Sequence, residues 1–237
     1  MEAEPYEQQE PSVLGSYGHG WETLRAHFGR LILILILFVI LQMPASADSI
    51  GGLGDFGSVL ATLYQLLVVG PLTFGLSYTF LVAVRGSSPD VGDLFAPFQR
   101  SYVSAVVASV LLPIVLVIAA LPMAGALAIA FLGDAPSPIL VAGAALLVCL
   151  PVFAAVRLSF VPYLLVEEGL GPVEALGESW ARTQPVQLQI FRIELLSGPL
   201  LLLGLLLFVV GVVPAMILAG LALATLYDDI SSGTQVP

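Results

Sequence analysis

Residues 101–156 read SYVSAVVASVLLPIVLVIAALPMAGALAIAFLGDAPSPILVAGAALLVCLPVFAAV, and before Arg157 the only charged side chain among them is Asp134. As one helix this stretch would be about 84 Å long at 1.5 Å per residue, against a hydrocarbon core of about 30 Å. Three crossings of roughly 20 residues each would leave nothing for turns. Two crossings fit, one from about Ser101 to Leu121 and one from about Ser137 to Val156. Pro122 and Gly125 then mark a kink or an extension beyond the far face. Backbone groups in lipid must be satisfied internally, so a crossing is a helix or part of a closed barrel. Barrel strands alternate apolar and polar residues; these runs of Leu, Val, Ala and Ile do not, and helices follow.

The flanking sequence repeats the pattern. Leu31–Ala47, Phe56–Val84 and Leu195–Tyr227 are free of charge. Trp21, Leu24 and Phe28 precede the first run at helical spacing, which predicts a helix that starts at the interface and runs inward. Val186–Tyr227 as one helix would be about 63 Å long, so it predicts two spans around a turn near Gly211–Pro214. The expected fold is an all-α polytopic bundle with spans near 26–47, 60–84, 101–121, 137–157, 188–209 and 212–228. They form one transmembrane domain, 16–229, between an unstructured tail at 1–15 and a short tail at 230–237. Composition agrees, since 58% of residues are hydrophobic and 10% charged, where soluble proteins carry about 25% charged residues.

Short cytoplasmic loops are enriched in Lys and Arg, which orients the spans. The chain has seven arginines and no lysine. With the N-terminus inside, Arg25, Arg30, Arg85, Arg100, Arg157, Arg182 and Arg192 all fall on the cytoplasmic side, and the outer loops hold none. The expected location is therefore the plasma or inner membrane, with both termini cytoplasmic. Leu31–Met43 followed by Ala45-Ser46-Ala47 also reads as a signal-peptide core with a cleavage site. The long acidic segment ahead of it and the interfacial Trp21–Arg30 favour retention.

Polar-aromatic segments precede each hairpin: Gly20–Phe28, Pro89–Arg100 and Pro172–Arg182. The last two share a lead-in, Gly86-x-x-Pro89 and Gly169-x-x-Pro172. In the third, Val173, Leu176 and Trp180 share one helical face and Glu174, Glu178 and Arg182 the other, as expected of a helix lying in the interface. Three hairpins, each introduced by an interfacial cytoplasmic helix, follow from this.

These segments also carry a family resemblance. One half is Gly70-Pro71-Leu72-x-x-Gly75, Arg85-Gly86 and Asp93-Leu94-Phe95-x-x-Phe98. The other is Phe160-x-Pro162-Tyr163-Leu164-Leu165-Val166-Glu167-Glu168 with Gly171-x-x-Glu174-Ala175-Leu176-x-x-Ser179-Trp180. Over roughly Gly15 to Asp229 the chain resembles a broad family of uncharacterised bacterial and archaeal six-helix membrane proteins. That family is related to the membrane domain attached to some glycerophosphodiester phosphodiesterases. The resemblance implies the six-helix fold; the phosphodiesterase activity belongs to a separate domain and is not carried over.

Chemistry is sparse. The net charge of −10 argues against nucleic acid, which needs basic patches; membrane lipids are the expected partner. An acidic, lysine-free composition fits a salt-loving organism, and equally a genome whose base composition favours Arg codons. Cys149 stands alone, so no intramolecular disulfide forms, and it reads as a small buried hydrophobe. His19 and His27 lack the i, i+4 spacing of a metal-binding helix, so neither metal nor cofactor is expected. Glu167 and Glu168, with Glu174 and Glu178, read as solvated loop charge.

Ionisable groups inside a span are functional candidates. The three here are Arg157, Arg192 and Glu194. If the fourth helix runs on to Val166, Arg157 lies inside the bilayer and needs a partner such as Glu194. If it exits near Arg157, the guanidinium snorkels to phosphates. No nucleophile–base pair is evident, so the expected role is non-enzymatic: structural, envelope-organising or lipid-interacting. The rival is a small-molecule or ion transporter built from the hairpins, in which Pro71, Pro113, Pro151 or Pro214 unwinds a helix.

Overall fold

The computed structural model describes residues 13–45, 54–131, 138–206 and 211–233. The tail before Val13, Ser46-Ala47 of the cleavage motif, the loop around Asp134 and the residues after Gly233 lie outside the described residues. Among the described residues there is no β-strand. Six helices are long and apolar enough to cross a membrane: Val13–Gln42, Asp55–Val84, Tyr102–Phe131, Pro138–Glu167, Gln187–Leu206 and Val212–Ser232. The chain is an all-α polytopic membrane protein.

In chain order the helices are α1 (Val13–Gln42), α2 (Gly54–Tyr64), α3 (Gly70–Val84), α4 (Val91–Leu94), α5 (Ala96–Arg100) and α6 (Tyr102–Phe131). They continue with α7 (Pro138–Leu147), α8 (Cys149–Leu158), α9 (Val161–Glu167), α10 (Pro172–Arg182), α11 (Gln187–Leu206) and α12 (Val212–Gly233). A π-helical segment, Gln65–Val69, joins α2 to α3 within the second span. α6 continues through Pro113 and Pro122 to Phe131, past the expected end at Leu121. Each ring removes one backbone bond, but membrane helices tolerate proline, and both rings lie on the exposed side. Trp21 is not on a separate interfacial helix. It belongs to α1, which kinks at His27, and it lines a hollow with Leu200, Gly204, Gly211 and Pro214 near the turn of the last hairpin. Arg25 lines a hollow with Pro214, beside the turn that the arginine pattern places outside, so the seven arginines do not all gather at the end of the bundle that holds Arg85 and Arg182.

α1, α3 and α12 form the centre, contributing Leu31, Ile34 and Leu35, Leu72 and Leu81, and Ile217 and Leu221 to one cluster. The second span buries 61% of its most apolar window and the third only 11%, so the α6–α8 hairpin turns most of its surface outward. Lipid is as apolar as leucine, so membrane helices associate by close packing of small residues. The Gly70-Pro71-Leu72-x-x-Gly75 motif does this: a methyl group at Gly70 would overlap the Ser109 hydroxyl of α6, and one at Gly75 the Leu94 carbonyl of α4. On α12, a methyl group at Gly220 would overlap the Phe80 ring.

Pro71 has no N–H to give the carbonyl four residues back, which is Leu67. The Tyr102 hydroxyl donates to that oxygen at 3.1 Å, restoring the bond that lipid would not supply. Tyr102→Phe should therefore lower stability by about 1–2 kcal/mol, read as a fall in thermal midpoint in detergent. An unchanged midpoint would mean the carbonyl finds another donor.

The first span is integral to the core. Leu24, Leu31, Ile34, Leu35 and Phe38 of α1 are all buried there, and cleavage after Ala47 would remove them. N-terminal sequencing of the mature protein should begin before Val13; a start at Asp48 would contradict this.

Candidate functional site

Two features converge at one end of the bundle. The first is a charged knot where spans two, four and six end. α3 closes on Arg85 and Gly86, and α9 on Glu168 and Gly169. Both glycines have positive φ, 75° and 66°, a left-handed region that glycine enters without steric cost. Each reverses the chain and delivers a proline to the next interfacial segment. Between them the segments bring carboxylates and guanidiniums together. Arg85 pairs with Glu167 at 2.5 Å and Asp228 at 2.7 Å. Arg182 pairs with Glu168 at 2.5 Å and Glu178 at 2.7 Å. The Tyr227 hydroxyl donates to Glu168 at 3.3 Å. Burial alone would lower the Arg182 guanidinium, but Glu168 and Glu178 more than reverse this and hold its pKa above the usual arginine value. Glu167 and Glu168 are thus ion-pair partners rather than free solvated charge. Beneath the knot, Tyr163 and Tyr227 stack at 4.7 Å with Phe160 edge-on to Tyr227 at 5.3 Å.

The second feature is the seat of Arg157. The helix breaks after Leu158, ahead of Pro162, and frees the Arg157 carbonyl. The Ser179 hydroxyl donates to it at 2.7 Å, and Thr183 at 3.4 Å. The guanidinium Nη1 in turn donates to the Trp180 carbonyl at 3.0 Å, placing a cation at the C-terminal end of α10, where the helix dipole favours it. The charge lies over two rings, Phe153 at 5.2 Å and Trp180 at 5.0 Å. Arg157 is only 8% exposed.

α10 presents its faces as its sequence pattern predicts for an interfacial helix. Its buried residues are the small Ala175 and Ser179, with Thr183 following, while Val173 and Trp180 face outward. The exposed valine and tryptophan are what an interfacial helix offers to headgroups.

Of the three sequence candidates, Arg157 is neither snorkelling freely nor paired with Glu194. Its acceptor is a backbone carbonyl, which leaves no side-chain signature. Arg192 and Glu194 both lie exposed on α11, and the structure does not bring them to Arg157. Cys149 is a correction: it is exposed, not buried. It lines a lateral groove of about 740 Å³ between α7–α8 and the start of α11, walled by Leu146, Cys149, Phe153, Val156, Leu188 and Phe191 with Gln187 at its polar end. Phe153, under the Arg157 charge, joins groove and seat.

Compared with known proteins, the chain matches no family model, no curated protein and no solved structure.

Proposed function

We propose that this chain is a non-enzymatic membrane protein that works by holding lipid, of the six-helix type its motifs resemble, with both termini in the cytoplasm. The observation that carries this is the groove between α7–α8 and α11, apolar along its walls and set on the hairpin that turns most of its surface outward. A transporter of the broken-helix kind uses freed backbone groups to bind its cargo. Here two carbonyls freed at helix breaks are taken by the protein: Leu67 by Tyr102 and Arg157 by Ser179 and Thr183. Its ionic groups at the helix ends are likewise tied to one another in the charged knot. The three candidate ionisable groups serve structure at the interface rather than a path across it.

Extraction into native-like particles followed by mass spectrometry of everything that co-purifies tests this. Retention of phospholipid and no stoichiometric soluble metabolite is expected. A specific soluble metabolite would overturn the proposal in favour of transport.

A further inference from the structure

We propose that the groove and the Arg157 seat together form one binding site for an anionic phospholipid, with its phosphate at Arg157 and one hydrocarbon chain between α7–α8 and α11. This rests on the lipid-holding role proposed above and names its ligand.

A cation taken out of water costs several kcal/mol unless it is compensated. Arg157 is nine-tenths buried, and the carboxylates that pair with arginine among the described residues go to Arg85 and Arg182. Its protein partners are one carbonyl and two ring faces, all neutral, and Nε has no acceptor. Guanidinium is the group suited to phosphate, through its planar fork of donors. Gln187, exposed at the groove's polar end, adds an amide donor.

From Val156 beside Arg157 to Ala145 the groove follows a helical length of about 16 Å, close to half of the ~30 Å hydrocarbon core. One leaflet's chain therefore fits from headgroup to midplane. The volume of about 740 Å³ lies within the ~300–1,000 Å³ of ligand sites. A soluble anion would leave the apolar wall unused. Trp180, 44% exposed beside the guanidinium, sits where headgroups meet aromatic belts.

The test uses the purified full chain, delipidated and offered equal amounts of phosphatidylglycerol and phosphatidylcholine, with bound lipid counted by native mass spectrometry. The wild type should retain phosphatidylglycerol preferentially. Arg157→Gln should weaken its retention roughly ten- to hundredfold and level the preference, while Arg157→Lys, which keeps the charge but not the planar fork, should bind more weakly and still prefer phosphatidylglycerol. Leu146→Trp, which fills the groove away from the arginine, should remove one lipid equivalent without lowering the thermal midpoint. If Arg157→Gln fails to fold, the lysine and Leu146 variants carry the test. Wild-type retention by both Leu146→Trp and Arg157→Gln would overturn this site while leaving lipid binding elsewhere intact. A wild type that keeps no phospholipid at all would overturn the underlying role as well. Displacement of the lipid by millimolar inorganic phosphate would show a free-phosphate site and contradict the proposal.

Discussion

Gly75→Leu should undock the segment Val91–Arg100 and cost about 3 kcal/mol or more, at the upper end of what overpacking does. At Gly75 the added atoms would meet the Leu94 carbonyl and the Pro97 ring. A backbone carbonyl cannot step aside as a flexible side chain does, so relief requires the whole α4–α5 segment to move. That segment is fixed by its own cap, in which Asp90 accepts from the Val91 N–H and the Asp90 N–H donates to Asp93, both at 2.8 Å. The capped unit would lift off as one piece. The thermal midpoint in detergent should fall, and protease should gain access between Gly86 and Ser101. Gly125→Ala is the matched control: nothing lies within 4 Å of its added methyl, and it should change stability by no more than ~0.5 kcal/mol. Equal behaviour of the two variants would contradict the packing described for Gly75.

Tyr227→Ala should be of similar size, about 3–5 kcal/mol. Tyr227 is 1% exposed and holds together the ends of spans four and six by stacking on Tyr163, meeting Phe160 edge-on and bonding to Glu168. Alanine would leave a void among rings that have no neighbour to replace it. Tyr227→Phe keeps the ring and loses only the long bond to Glu168, so it should cost about 1 kcal/mol or less. A large loss from phenylalanine would shift the weight from ring packing to the charged knot.

The crossings were legible because run length and the absence of charge are local properties of sequence. Where α6 stops was legible only as an alternative, because Pro122 and Gly125 allow a kink or an extension, and the helix carries both to Phe131. The interfacial segments were legible as segments, and Gly86 and Gly169 as their lead-ins, since a left-handed turn before a proline leaves a fixed signature. The outward face of α10, with Val173 and Trp180, was legible as well; the residues of its protein-facing side were not. Close approach in a membrane selects the small Ala175 and Ser179, which hydrophobicity does not single out. The pairing of Glu167 and Glu168 with Arg85 and Arg182 depends on helix ends brought together by the fold. The exposure of Cys149 was hidden for a related reason: α8 is apolar on every side there, so no periodicity distinguishes its groove face.

Cys149 also makes the central claim directly measurable, because it is the chain's one cysteine and it lines the groove. A bimane fluorophore attached to it in reconstituted full-length protein reports what fills that space. Brominated phospholipid should quench the fluorescence and aqueous iodide should leave it unchanged. Quenching by iodide with none from brominated lipid would mean a water-filled path, and would contradict the lipid-holding account.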